Sequence, residues 1–103
     1  MTVVPSDLRG YPCEEYFSSA LASAGLWDEA AQLMLVVAAK DAEDHPEIGF
    51  LEIGRPGTDG ILFGYRASRP GIWAYYPLGS EFKLMASTLS AFLQRWQVGE
   101  LSV

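Results

Sequence analysis

Cysteine and histidine are nearly absent from this chain of 103 residues, which contains one cysteine, Cys13, and one histidine, His45. One thiol cannot form an internal disulfide, and one thiol with one imidazole cannot complete a Cys/His zinc site. This cysteine usage is typical of a reducing compartment. We therefore expect a cytoplasmic protein that has neither a disulfide framework nor a structural zinc site.

Long apolar runs are also missing. The longest, residues 33–39, is far shorter than the roughly 20 residues that a membrane-spanning helix needs. The opening residues, MTVVPSD, lack the basic region and apolar stretch of a secretory signal. Neither secretion nor a membrane partner is expected.

Basic residues are scarce, since 7 Lys and Arg are present against 13 Asp and Glu, a formal net charge of -6 at pH 7. Such a balance disfavours binding to the phosphate backbone of a nucleic acid, so no nucleic-acid partner is expected. The charge is uneven along the chain. Residues 1–52 contain ten acids and two bases, and residues 53–103 contain three acids and five bases.

Apolar residues are abundant by contrast, at 50% hydrophobic and 13% aromatic. This content can form one core in a chain of this length, so we expect a single domain over residues 1–103. A first helix is predicted over about 12–24, because Pro12 suits a first turn and Gly25 a C-cap. A second is predicted over 30–39, an apolar and alanine-rich segment whose middle, 33–37, also fits a buried strand.

The pattern changes to strands after residue 47. Strands are predicted over 50–53, 61–66 and 72–76, with a fourth over 81–85, separated by turns rich in glycine and proline. Ser87 can cap a last helix whose apolar face consists of Leu89, Phe92, Leu93 and Trp96. The predicted fold is α+β, with N-terminal helices, a central antiparallel β-meander of about four strands, and a C-terminal helix packed on the sheet.

Catalytic groups are not paired in the sequence. His45 precedes Pro46 in an acidic segment without a nucleophile beside it, and we interpret it as a solvated loop residue. Cys13 has no base placed near it and is interpreted as an inert, partly buried thiol. The loop 54–60 contains three glycines but matches neither a P-loop nor a dinucleotide fingerprint, which favours a hairpin turn. No catalytic residue, metal or cofactor is predicted, and the chain is not expected to be an enzyme.

Two groups of residues remain as candidates for binding. The acids in 41–47 lack the glycine and the terminal glutamate of an EF-hand, so they form a solvated loop or a protein-binding patch rather than a metal site. Strand alternation places Trp73 and Tyr75 on the face of their strand opposite Ile72, Ala74 and Tyr76. These aromatic residues either pack on the sheet or anchor an exposed interface.

A family resemblance covers about half of the chain. Its features are a strand that ends in Ile53-Gly54, a turn at Asp59-Gly60, a strand over 61–66, an aromatic strand over 72–76 that ends at Pro77, a helix from Ala86-Ser87 to Phe92-Leu93, and upstream the segment Pro12 to Phe17 with Gly25. This combination resembles the SUKH superfamily of small α+β proteins, which includes the Syd protein and the fungal cell-wall-synthesis regulators of the Smi/Knr type.

The resemblance implies a non-enzymatic binding domain, in bacteria most often an immunity protein that masks a secreted toxin, frequently a nuclease. An acidic protein suits a basic toxin domain, because opposite charge speeds association. The alternative is a regulatory scaffold that binds an endogenous protein, and in either case we expect a monomer or a weak homodimer. The family's concave sheet-side surface is the expected binding face, and the candidate partner-binding residues are Trp73, Tyr75, Tyr65, Arg66, Glu81, Asp41, Glu43, Asp44 and Glu47.

Overall fold

A computed structural model describes residues 4–29, 32–57 and 60–101 and contains one seven-stranded antiparallel sheet. The strands are β1 (Leu26–Asp28), β2 (Leu33–Val36), β3 (Glu43–His45), β4 (Phe50–Gly54), β5 (Leu62–Arg66), β6 (Arg69–Tyr76) and β7 (Glu81–Ala86). The helices are α1 (Glu14–Phe17), α2 (Leu21–Ala24) and α3 (Leu89–Gln97), and short 3-10 turns occupy Ser6–Leu8 and Ala39–Asp41. The α+β class, the antiparallel sheet and the C-terminal helix packed on it are confirmed.

The sheet is built around a meander. β4, β5, β6 and β7 follow one another in both sequence and space. On the other edge of β4, β2 pairs at Gly54 and β3 pairs along residues 50–52, so these two short strands share that edge. β1 pairs with β2 and completes the sheet. The prediction of about four strands was therefore too low, because β1 and β3 were not recognised and the segment of β2 was assigned to a helix, with a strand only as the alternative.

One face of the sheet, the inner face, holds the core. It carries Phe63 and Tyr65 of β5 and Ile72 and Ala74 of β6, all of which are buried. The Phe92 ring of α3 meets the Phe63 ring edge-on at a centroid distance of 4.8 Å. Residues of all three helices belong to this core or pack against it. None of the helices in the described ranges is long and apolar enough to cross a membrane.

The N-terminus of α3 is held by two caps. Thr88, rather than the expected Ser87, is the N-cap residue, and its hydroxyl accepts a hydrogen bond from the Ala91 amide. The carboxylate of Glu15 on α1 accepts hydrogen bonds from the backbone amides of Leu89 and Ser90, at 2.6 and 2.9 Å. These amides have no partner within the helix, and a negative charge suits the positive end of the helix dipole. The Glu15 cap thus joins the first helix to the last.

The predicted helix over 12–24 is two single turns, α1 and α2, separated at residues 18–20. The Ser19 hydroxyl donates to the Tyr16 carbonyl at 2.8 Å and accepts from the Leu21 amide at 3.2 Å. A serine that bonds locally to the backbone in this way competes with the helical pattern. This competition accounts for the break.

The prediction of a helix over 30–39 was wrong for the residues of this segment that the structure describes. Residues 30 and 31 lie outside the described residues, as do residues 58 and 59 of the predicted turn over 54–60. Gln32 adopts a left-handed φ of 55°, which a helix interior does not contain, and β2 begins at the next residue. β2 pairs with β1 on one side and with β4 on the other, so an apolar run here is a strand within the sheet.

Candidate functional site

The outer face is the side of the sheet opposite the core. Its side chains are identified by the strand register, in which Glu43 lies opposite Glu52, Glu52 opposite Gly64, Gly64 opposite Trp73, and Trp73 opposite Leu84. A neighbouring row places His45 opposite Phe50 and Phe50 opposite Arg66. Five strands thus contribute to one surface, with an acidic end on β3 and β4 and an aromatic end on β6 and β7.

Three aromatic rings form the centre of this face. The Phe50 ring lies 5.9 Å from that of Tyr75 and 5.6 Å from that of Phe82, and the Tyr75 and Phe82 rings are 4.9 Å apart. Phe50 is on β4 and Phe82 on β7, so side chains from strands that do not touch converge here. Gly64 permits this, because a Cβ at that position would come within 3.1 Å of the Phe50 ring.

Arg66 covers the aromatic cluster. Its guanidinium carbon lies 4.0 Å from the centroid of the Phe82 ring and 4.8 Å from that of the Trp73 ring. Both distances are within the range of cation–π attraction. Burial, followed by the nearby charge of Arg69, lowers the pKa of Arg66. The guanidinium is thus partly desolvated while it rests on the rings.

Part of this aromatic surface is open to solvent. Trp73, Tyr75 and Phe82 are half-buried, and Leu84 is 52% exposed. The Trp73 indole N–H donates to the carbonyl of Pro70 at 3.2 Å, which fixes the ring over the strand. A rigid aromatic residue beside an exposed leucine and an arginine has the composition of an interface centre.

The acidic end of the outer face is centred on His45. Its Nε2 lies 3.0 Å from Glu52 Oε1 and 3.7 Å from Glu43 Oε2, and its Nδ1 lies 3.6 Å from Glu47 Oε1. The interpretation of His45 as a solvated loop residue was wrong, since it lies in β3 and its side chain is 26% exposed. Glu43, His45 and Glu47 come from the segment 41–47, and β4 supplies Glu52.

Glu52 is the buried carboxylate of this group, with 3% of the residue exposed. Its second oxygen, Oε2, accepts a hydrogen bond from Arg55 Nε at 2.6 Å. That bond and the charge of Glu52 raise the pKa of Arg55. A buried charge is retained only when it is paired, and Arg55 supplies the pairing, while His45 Nε2 lies within hydrogen-bond distance of the other carboxylate oxygen.

Five of the predicted site residues gather at or beside the outer face. Arg66, Trp73 and Tyr75 belong to the aromatic end. Glu43 lies on the acidic end, and the Glu47 carboxylate contacts the ring of His45.

Four predicted site residues do not reach the outer face. Tyr65 lies on the inner face and is 3% exposed, so it belongs to the core. Glu81 is opposite Tyr76, on the side of β7 away from Phe82. Asp44 points away from its neighbours in β3 and accepts a hydrogen bond from the Tyr11 hydroxyl at 2.6 Å, and Asp41 lies in the 3-10 turn Ala39–Asp41.

Sequence reasoning missed five residues of this face, namely Phe82, Leu84, Phe50, His45 and Glu52. The alternation of Phe82, Lys83 and Leu84 in the predicted fourth strand was a usable signal for the first two. No local signal identifies Glu52, because its role depends on the pairing of β3 with β4.

Two other features lie away from the outer face. A cleft of about 290 Å³ separates β1 from the end of α3 and is lined in part by Trp27, Leu35 and Trp96. Cys13 is fully buried, and burial raises the pKa of its thiol to about 11, which keeps it protonated at neutral pH. Cys13 is thus buried more deeply than the partly buried thiol expected from the sequence.

In comparisons with known proteins, no protein-family model matches this chain, and neither a curated protein nor a solved structure matches it.

Proposed function

We propose that this protein is a non-enzymatic binding domain that holds a protein partner on the outer face of its sheet. The observation that carries the proposal is the half-exposed aromatic surface of Trp73, Tyr75 and Phe82, with Arg66 stacked on it and Leu84 open beside it. Exposed apolar surface with a polar border marks interaction sites on proteins. Tryptophan, tyrosine and arginine are also the residue types that dominate binding energy in interfaces.

The partner in this proposal is a basic protein. The chain carries a formal net charge of -6, and Glu43 and Glu47 border the aromatic surface on one side. A field of this sign speeds the approach of a positively charged protein and acts over a Debye length of about 8 Å at physiological salt. We therefore expect the association rate to fall as salt is added.

The role that fits a basic partner is neutralisation of a toxin, in which the chain acts in the cytoplasm as an immunity protein and occludes a nuclease-type domain. The resemblance to the SUKH superfamily points the same way. Occlusion needs tight binding and no chemistry.

The first experiment uses the purified chain as bait at low and high salt, against cell lysate and secreted protein from its source organism. Bound proteins are identified by mass spectrometry, and the best candidate is then purified. The supporting result is one basic toxin domain with a nanomolar Kd and an association rate that decreases with salt.

Variants of the bait decide whether the outer face is responsible. Trp73→Ala should weaken binding by about 2 kcal/mol, which is about thirtyfold in Kd. Leu84→Ser should weaken it as well, and Lys83→Ser is the matched control, because Lys83 is the exposed neighbour on the opposite side of β7. Equal affinity for the wild type and Trp73→Ala would contradict binding through this surface. Binding of an endogenous regulator through Trp73 at a micromolar Kd would support the outer face as the binding surface but would contradict toxin neutralisation.

A further inference from the structure

We propose that Glu43, His45 and Glu52 form a binding site for a divalent transition-metal ion, with Zn²⁺ as the ion to test. The ligands are Nε2 of His45 and one carboxylate oxygen from each glutamate, and these atoms all lie within 4.8 Å of one another. Imidazole and carboxylate together are a donor set that Zn²⁺ accepts in proteins. This inference is independent of the proposed protein partner.

Paired strands place the three ligands together. Glu43 and Glu52 are direct partners across β3 and β4, and His45 follows Glu43 by two residues, so it points to the same face. Ligand atoms around a tetrahedral zinc ion, at 2.0–2.2 Å from the metal, lie roughly 3.3–3.6 Å from each other. The observed distances of 3.0 Å to Glu52 and 3.7 Å to Glu43 from His45 Nε2 already bracket that range.

The orientation of the His45 ring suits a metal ion at Nε2. Both ring nitrogens of His45 face carboxylates, Nδ1 towards Glu47 and Nε2 towards Glu43 and Glu52. A neutral imidazole has one N–H and one lone pair. In a metal-bound form the N–H on Nδ1 is directed at Glu47, and the lone pair of Nε2 binds the ion that Glu43 and Glu52 also bind.

The charge of the group agrees with a divalent ion. Three carboxylates, from Glu43, Glu47 and Glu52, are accompanied by one guanidinium, that of Arg55. The three carboxylates and the guanidinium together leave two negative charges. Like charges directly opposite each other destabilise a sheet, and Glu43 is directly opposite Glu52. A divalent ion between the two strands balances both charges.

Glu47 and Arg55 lie beside the proposed ligands, where they can orient His45 and Glu52. A histidine that binds a metal usually donates its other N–H to a carboxylate, and Glu47 Oε1 lies 3.6 Å from Nδ1. Arg55 holds Oε2 of Glu52 and leaves Oε1, which faces His45, as the ligand oxygen. Glu52 is buried and fixed from both sides, so the site is preorganised on the rigid strand while Glu43 closes it from the solvent side.

The test is isothermal titration calorimetry of the metal-free full chain with ZnCl₂. We expect saturable binding of one ion per chain. Glu43→Gln and His45→Gln should each weaken binding by at least about tenfold, since even an outer-shell change has that effect. Glu43 is suited to the test because its side chain is 59% exposed, so its replacement leaves the fold intact, which circular dichroism verifies. Glu81→Gln removes an exposed strand carboxylate elsewhere and should bind Zn²⁺ as the wild type does.

A second readout identifies the ligand atom. His45 is the only histidine in the chain, so its ring nitrogen resonances need no assignment by mutation. Zn²⁺ should shift the Nε2 resonance and leave Nδ1 as the protonated nitrogen. Absence of saturable binding, equal affinity in Glu43→Gln and the wild type, or binding that leaves the His45 resonances unmoved would each overturn the site.

Discussion

The two faces of the sheet use the same strands for opposite purposes. On the inner face Phe63, Ile72 and Ala74 are buried under α3 and the N-terminal segment. On the outer face Trp73 and Tyr75, which alternate with Ile72 and Ala74 along β6, remain half-exposed, and the Arg66 guanidinium lies over the Trp73 ring. Because the inner face already supplies the core, the outer face can hold charged and aromatic groups that stay partly open to solvent.

The largest loss of stability is expected when an aromatic ring of the inner face is removed. Phe92→Ala should lower the free energy of unfolding by about 3–5 kcal/mol, because Phe92 is fully buried against Phe63 and its loss leaves a cavity. Urea denaturation followed by circular dichroism measures the change. A loss below about 1 kcal/mol would show that α3 does not cover the core as described.

A smaller loss of stability is expected from a side chain added at Gly64 of β5. A Cβ on Gly64 would lie 1.9 Å from the Leu51 carbonyl oxygen as well as close to the Phe50 ring, so Gly64→Ala should destabilise the protein by about 1–3 kcal/mol through overpacking. Gly10→Ala is the control, because a Cβ there would contact nothing within 4 Å. Thermal melts of both variants compare them. Equal melting temperatures of Gly64→Ala and Gly10→Ala would show that β4 and β5 can move apart to accommodate the added methyl group without loss of stability.

The attachment of α3 to the inner side should respond to pH through Glu15. Partial burial tends to raise the pKa of this carboxyl, but hydrogen bonds from the Ser90 hydroxyl and from the amides of Leu89 and Ser90 outweigh burial, and the pKa is lowered. The unfolded value is about 4.3, so the unfolded chain binds more protons in acid. The stability that Glu15 supplies is therefore complete above that value and is lost as the pH falls through the lower pKa of the folded state.

Glu15→Gln should remove about 1–2 kcal/mol at pH 7, as the loss of a helix cap does, and should flatten this acid dependence. Urea midpoints at pH 7 and in the acid range measure both effects. Glu14→Gln, the exposed neighbour on α1, is the control and should behave as the wild type. If the stability of Glu15→Gln falls in acid as steeply as that of the wild type, other carboxyl groups cause the acid dependence.

The smallest change in stability is expected for a substitution on the outer face. Leu84→Ser changes an exposed residue of the outer face and should alter the free energy of unfolding by no more than about 0.5 kcal/mol. Denaturation under the conditions used for Phe92→Ala gives the direct comparison. A loss of several kcal/mol would place Leu84 in a core that continues through the sheet.

The second half of the chain was predictable because its signals are local. Alternation in residues 72–76 correctly separated Trp73 and Tyr75 from the buried Ile72 and Ala74, and the turns with glycine and proline correctly divided the strands. The apolar period of the last helix was sufficient to place it on the sheet.

The first half was not predictable because its elements depend on distant partners. β3 contains Glu43, Asp44 and His45, residues with low strand propensity, and it is a strand because it pairs with β4. β2 is an apolar run whose period suits either helix or strand, and only its neighbours in the sheet decide. The acidic end of the candidate site follows from that pairing, so it was missed with the strand.

The cap that Glu15 places on α3 also has a consequence for the order of folding. β4, β5, β6 and β7 pair with their neighbours in sequence, so they can assemble by closing short loops, which is fast. The hydrogen bond from the Leu89 amide to Glu15 joins positions 74 residues apart, and closing so long a loop has a larger entropic barrier. We therefore expect the meander to fold first and the N-terminal segment to dock afterwards. In pulsed hydrogen exchange during refolding, the amide hydrogens of Leu89 and Ser90 are then expected to become protected only in that last step.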